Sequence, residues 1–273
     1  HHLRSVGTVR NYEQGLTRVA EWTQRERLPG GLRAMTPELA IRYLEQRGQE
    51  VGQKALDMER QAMQAMMQHV TGQLAHGARI PVIKSEQAQV LMARAYTAPQ
   101  VALIAAAQTP RHGLATELAY AAGLRAHELL TLRRGEERAA DPRPALASKW
   151  QGRNGVIYTV HGKGGLVREV LLPHALAERL EAVRLDAPLA ITDRGIHYQS
   201  HYDIGGGQRW SNSVSAASER ALGWSTGAHG LRHSYAQERM AELQASLSRD
   251  AALTTVSQEM GHFRPEITET YLR

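Results

Sequence analysis

Only two stretches of this chain read as β-strand. Gly155-Val-Ile-Tyr-Thr-Val-His161 and Leu166-Val-Arg-Glu-Val-Leu-Leu172 are rich in β-branched residues, and Gly162-Lys163-Gly164-Gly165 joins them. Such runs with a glycine-rich reversal between them predict a β-hairpin with Lys163 at its tip. Elsewhere the apolar residues recur with helical spacing. Residues 11–26 and 36–46 are amphipathic, and Thr36-Pro37-Glu38 is a helix start with proline in the first turn. Residues 54–73 place Met63, Met66, Met67 and Val70 at i, i+3, i+4 and i+7, an apolar stripe of core-filling residues. Helices are also expected over residues 86–96, 100–107, 113–122, 174–184 and 211–222, and onward to the end of the chain. The predicted fold class is mainly α with a small β-hairpin or sheet (α+β).

The segment His76-Gly77-Ala78-Arg79-Ile80-Pro81 interrupts the helical pattern. It divides the chain into a helical domain with its linker, residues 1–84, and a second domain, residues 85–273. With no cysteine in 273 residues, thiol catalysis, zinc knuckles, iron–sulfur clusters and disulfides are all excluded. The apolar run over residues 95–109 is too short to span a bilayer, and the first residues lack the apolar core of a signal peptide.

Charge points to a polyanion. The chain has 33 Lys+Arg against 27 Asp+Glu, a net +6, and only Lys54, Lys84, Lys149 and Lys163 are lysines. Arginine favours bidentate contact with phosphate. Residues 1–84 carry 12 cations and 8 acids, so the small helical domain is the more densely basic one. A second excess lies between Arg133 and Arg168, with eight cations against three acids.

Several segments could carry chemistry. Gly123-Leu-Arg125 separates two helical patterns, which ends one helix at Gly123 and leaves Arg125 at the start of the next, with Glu128 one turn on. Arg125 could bind phosphate with Glu128 orienting it; the pair also reads as a surface i,i+3 ion pair. Lys163 could deliver an ammonium into a groove, or be a solvated turn residue. In His229-Gly-Leu-Arg232-His233, an imidazole and a guanidinium share one helical face, suited to a common anion. His229 and His233 have the i,i+4 spacing of a zinc helix, but Gly230 stands where a metalloprotease needs glutamate. Gly261 ends a helix and Pro265 starts another, so His262 falls in the turn between them, with Tyr271 near the chain end. The Gly205-Gly206-Gly207 loop lacks the lysine of a phosphate-binding P-loop. Residues 194–210 match no motif and read as a connector or a DNA-contacting loop.

Taken in order, these segments resemble the tyrosine recombinases, the phage-integrase superfamily. Gly-Leu-Arg125-x-x-Glu128 resembles the first arginine box of that family, and Lys163 in its glycine turn, with Arg168 following, resembles the β-hairpin lysine. His229-x-Leu-Arg232-His233 resembles the His-x-x-Arg box, Gly261-His262 the Gly-His step, and Tyr271 follows His262 at the family's spacing of nine residues. The first domain is similar to the SAM-like core-binding domain. The resemblance covers essentially the whole chain.

The resemblance implies a site-specific recombinase or integrase from a mobile element, cytoplasmic and of bacterial or phage origin. Tyr271 would attack a scissile phosphate, Arg125 and Arg232 would hold its nonbridging oxygens, and His262 would add a hydrogen bond. Lys163 would protonate the leaving oxygen, His229 would assist proton transfer, and Glu128 would support Arg125. No cofactor, metal or ATP is implied. The implied partners are double-stranded DNA with a specific recombination site, three further copies of the chain in a tetramer on DNA, and an accessory DNA-bending or directionality protein; no membrane is involved. The alternatives are a type IB topoisomerase and a non-catalytic DNA-binding regulator on the same fold.

Overall fold

The computed structural model of the chain describes residues 6–89 and 91–273; the side chains of Val6 and Lys163 lie outside that description. The chain divides into two compact units, residues 1–91 and 92–273.

The first unit is helical, with α1 (Val6–Arg25), α2 (Pro37–Gly48) and α3 (Gln53–Met66). Thr36 starts α2 by accepting a hydrogen bond from the Leu39 amide at 3.3 Å, and Pro37 occupies the first turn, where no amide is missed. Val19, Trp22, Met35, Leu44, Met63 and Met67 form the core. Buried Glu59 lies among them, accepting from Tyr43 Oη at 2.7 Å and Arg47 Nε at 3.3 Å, so its charge is compensated. The methionine stripe fails at its last member. Residues 67–71 wind as a π-helical turn, which advances fewer degrees per residue and leaves Val70 79% exposed.

No described residue of the expected helix over residues 86–96 is helical. The composition favours helix, but the backbone finds other partners. The Glu86 amide donates to Gly48 O at 2.9 Å, Ser85 Oγ to Val51 O at 2.6 Å, and Gln87 Nε2 to Gln49 O at 2.5 Å. These bonds keep residues 85–87 with the first unit, beyond the sequence boundary at residue 84. Further along, the Tyr96 amide donates to Ser234 Oγ at 2.8 Å within the second unit. Tertiary bonds have overridden propensity here.

The second unit opens with α4 (Ala98–Ala106) and α5 (Pro110–Ala122). An antiparallel sheet follows in the order β1 (Arg133–Arg134), β2 (Val156–His161), β3 (Val167–Leu172). The β2–β3 pair is the hairpin expected from sequence, with Val156 opposite Leu172 and His161 opposite Val167. After α6 (His174–Glu181), residues 184–202 form a second hairpin, β4 (Arg184–Asp193) and β5 (Ile196–Tyr202). Part of the supposed connector is therefore strand. Its turn residues Arg194 and Gly195 both have positive φ, and the Asp193 carboxylate accepts from the Gln208 amide at 2.8 Å, tying the hairpin to the start of α7 (Gly207–Leu222).

Finally come α8 (His229–Gln244), α9 (Arg249–Glu259) and the short α10 (Pro265–Glu269). Leu118, Ala119, Tyr158, Val170, Trp210 and Leu231 lie in the main core. A second cluster of Tyr235, Met240, Val256, Met260 and Tyr271 joins α8 to α9 and the chain end. Among the described residues, no helix is long and apolar enough to cross a membrane.

Candidate active site

The site grows from one buried carboxylate. Gly123 ends α5 in the left-handed conformation at φ 58°. No α-helix begins at Arg125, contrary to the sequence expectation; the chain turns into a short 3-10 segment, Glu128–Thr131. The reason is local. Glu128 folds back and takes the Arg125 amide at 2.7 Å, together with Arg125 Nη1 at 2.7 Å. Its carboxylate is fully buried, so this is not a surface pair.

Two more arginines close around Glu128. Arg168 donates from Nε at 3.2 Å and from Nη2 at 2.8 Å, and Arg232 Nη1 lies 3.9 Å away. Burial alone would push the Glu128 carboxyl up, but the charges of Arg168 and Arg125, the Arg168 hydrogen bond and the Arg232 charge together hold it far below the ordinary carboxylate range. Arg168 reaches this position because β3 alternates: Arg168, Val170 and Leu172 share the inward face.

The C-terminus of α9 supplies the other anchor. Last-turn carbonyls have no partner within their own helix and carry the negative end of its dipole. Arg168 Nη1 donates to Glu259 O at 2.6 Å, and Arg232 Nη2 donates to Met260 O at 3.4 Å. Gly261 follows at φ 71°, and a Cβ there would stand 2.5 Å from Arg168 Cδ, so glycine is required on both counts. The Glu259 side chain, also buried, holds this helix end by accepting from Tyr235 Oη and Arg239 Nε, both at 2.9 Å.

Arg232 is fully buried. It donates from Nη1 to Gly123 O and from Nη2 towards His262 Nε2 at 3.0 Å, while its Nε has no partner among the described residues. Burial first, and the Arg125 charge second, lower its pKa to about 10, which leaves it cationic at neutral pH. Gly230 lets α8 sit this deep: a Cβ there would lie 2.3 Å from Thr226 Oγ1 and 2.5 Å from Tyr96 Cε2.

Tyr271, 8% exposed, closes the site. Its ring centroid stands 5.1 Å from that of His229, 4.9 Å from His233 and 5.0 Å from His262, with the Arg232 guanidinium 5.4 Å away. His233 Nδ1 donates to the Tyr271 carbonyl at 3.1 Å, which fixes the backbone that carries the phenol. Burial, then Arg94, brings the His233 pKa down to about 4; burial, then Arg232, brings that of His262 down to about 3. His229 is shifted in the same direction by burial and Arg232, although as a residue it remains exposed.

Six of the seven residues singled out from sequence thus meet in this region. The seventh, Lys163, lies in the β2–β3 turn, where Gly164 and Gly165 have positive φ, and its side chain is outside the described set. In the sequence Arg168 is only a basic residue after the glycine turn; the structure buries it against Glu128. A charge on the inward face of β3 was the available signal. No group of three or more His, Asp or Glu side chains among the described residues could hold a metal ion.

This is the fold of the tyrosine recombinases. No family model matches the sequence, and neither does any curated protein. In three dimensions the chain is similar to the XerH site-specific recombinase in a post-cleavage complex with palindromic difH substrate, with a TM-score of 0.62 and 15% identity over 97% of this chain and 76% of that one. It is also similar to the Tn1549 transposon integrase bound to transposon right end DNA, with a TM-score of 0.56 and 13% identity over 96% and 89% of the two chains. A lambda integrase tetramer bound to a Holliday junction gives a TM-score of 0.59 and 16% identity over 99% and 72%.

Proposed function

We propose that the chain is a site-specific DNA recombinase of the integrase type, which cuts and rejoins strands through a covalent 3′-phosphotyrosyl intermediate. The observation that carries this reading is the convergence of Tyr271 on three histidine rings and the buried Arg232, itself locked by Glu128 and the end of α9. A phosphodiester under attack gains charge on its nonbridging oxygens, and fixed guanidiniums stabilise that charge without reorganising. Arg125 and Arg232 serve this purpose, with His262 as a further donor.

In the cleavage step the Tyr271 oxygen bonds to phosphorus, the bond to the 5′-oxygen breaks, and that oxygen takes a proton from Lys163. His229 receives the phenol proton. Glu128 touches no substrate and acts as a positioning residue for Arg125, Arg168 and Arg232. The phosphotyrosine conserves the phosphodiester bond energy, so a 5′-hydroxyl from a second strand can reverse the step without ATP or a metal. The small first domain, residues 1–84 by sequence, supplies a basic clamp on DNA, and four chains assemble on paired sites, an arrangement supported by the DNA-bound neighbours of the same fold.

The test is a nicked duplex carrying the cognate site, or genomic fragments flanking the gene, incubated with the full chain in EDTA. A protein–DNA adduct on a denaturing gel, absent in Tyr271→Phe, is the expected result. Tight binding with no adduct would favour the regulator. Adduct formation on any supercoiled DNA, with relaxation, would favour the topoisomerase.

A further inference from the structure

We propose that the Thr268 hydroxyl is a positioning residue that couples anion binding at Arg232 to the tautomer of His262; this rests on the reading of the site as a phosphate site. The imidazole is held at both nitrogens. Nε2 lies 3.0 Å from Arg232 Nη2, and Nδ1 lies 2.9 Å from Thr268 Oγ1, a fully buried hydroxyl on α10.

A guanidinium only donates, so Nε2 accepts in this arrangement. The ring proton then sits on Nδ1 and is given to Thr268, whose hydroxyl acts as acceptor. In that state His262 has no proton at Nε2 to offer a phosphate oxygen. Burial and three arginines keep the ring from becoming doubly protonated near neutral pH, so the donor at Nε2 has to come from the other neutral tautomer.

The other tautomer exchanges one conflict for another. With the proton on Nε2, Thr268 turns its hydroxyl and donates to Nδ1. Nε2–H and the Arg232 N–H then point at each other, two donors with no acceptor between them. An anionic oxygen that accepts from both resolves the conflict. It would also lie beside Arg232 Nε, a buried donor with no partner among the described residues. One proton leaves Nδ1 and one is taken up at Nε2, through water, so the ring stays neutral throughout. A hydroxyl at position 268 is the group able to serve both tautomers, because it can accept or donate. Valine would offer neither, and serine both.

The experiment uses the full chain labelled with ¹⁵N in its histidine and arginine side chains, titrated with inorganic phosphate. Long-range ¹H–¹⁵N correlation identifies which His262 nitrogen is protonated, with assignment by His262→Phe. Wild type and Thr268→Ser are expected to pass from Nδ1–H to Nε2–H as phosphate is added, while the Arg232 Nε proton shifts downfield. Thr268→Val leaves Nδ1 without a partner in either tautomer, so Nε2 is no longer held in place and phosphate should bind roughly 5- to 10-fold more weakly, the loss of about one hydrogen bond, with Thr268→Ser restoring it. Phosphate that shifts Arg232 Nε without moving the His262 proton would overturn the coupling and leave the anion site standing. Phosphate binding as tight in Thr268→Val as in wild type and Thr268→Ser would overturn the role of Thr268. No shift at Arg232 Nε or His262 would overturn the phosphate reading and this inference together.

Discussion

Replacing Glu128 by glutamine would test whether the three-arginine cluster depends on one buried charge. Glu128 accepts four hydrogen bonds, from the Arg125 amide and Nη1 and from Arg168 Nε and Nη2, and it lies 3.9 Å from Arg232. Glutamine has nearly the same shape, but it presents an amide NH₂ to the guanidiniums and leaves their charges uncompensated. Removing one partner of a buried ion pair costs about 3–5 kcal/mol. For a unit of this size each kcal/mol moves the midpoint by roughly 2–4 °C, so the thermal transition should fall by about 10 °C. Far-UV circular dichroism with tryptophan fluorescence reports it, because Trp150, Trp210 and Trp224 all lie in the second unit.

The pH dependence sharpens this test. Because the folded pKa of Glu128 is depressed, its contribution is present above the unfolded value near 4.3 and is lost as pH falls. Below pH 4.3 or so, the unfolded chain binds a proton that the folded protein refuses. The wild type then loses about 1.4 kcal/mol per pH unit from this group, and Glu128→Gln does not. The gap between the two proteins should therefore narrow in acid. Parallel stability curves from pH 7 to 3, or a midpoint shift under about 2 °C at pH 7, would refute the reasoning.

Gly261→Ala should be disproportionately harmful for a single methyl: the left-handed backbone costs about 1–2 kcal/mol, and the new Cβ at 2.5 Å from Arg168 Cδ must displace that guanidinium. Denaturation measures the first effect, and loss of covalent adduct beyond what the stability change explains measures the second. His233, neutral when folded because its pKa is pulled down to about 4, should erode stability as pH falls from about 6.5, where unfolded histidine takes up protons, toward 4. His233→Phe should remove roughly 1.4 kcal/mol per pH unit from that slope, as chemical denaturation between pH 7 and 5 would reveal. DNA binding should weaken steeply with salt, and a filter-binding or anisotropy series giving a slope near zero would contradict an arginine-rich clamp.

Parts of this molecule were plain in the sequence because they depend on neighbours in the chain. The β2–β3 hairpin follows from two β-rich runs and the glycines between them. The Thr36–Pro37 helix start, the Gly123 stop and the turn at Gly261 follow from residues whose backbone preferences allow few alternatives. Similarity to a known order of short motifs brought the candidate residues forward, and no composition or periodicity could have done so. Where the sequence reading failed, long-range bonds intervened. Residues 86–96 have a helix-forming composition, yet Glu86, Gln87 and Tyr96 make backbone or side-chain bonds to residues distant in sequence. Val70 left the core when a π-turn altered the winding of the helix before it.

The predominance of helix, the β2–β3 hairpin, the local turns and the types of side chain available for chemistry are legible along the chain, because each depends on interactions within a few residues. That Glu128 is a buried counter-ion and not a surface partner, that Arg168 joins it from a separate strand, and that Tyr271 lies among three imidazoles emerges from packing between distant segments. A pKa, a tautomer or a buried charge depends on everything packed within a few ångströms, and here those neighbours come from α5, β3, α8, α9 and α10. Separation along the chain carries no record of such proximity until the core closes.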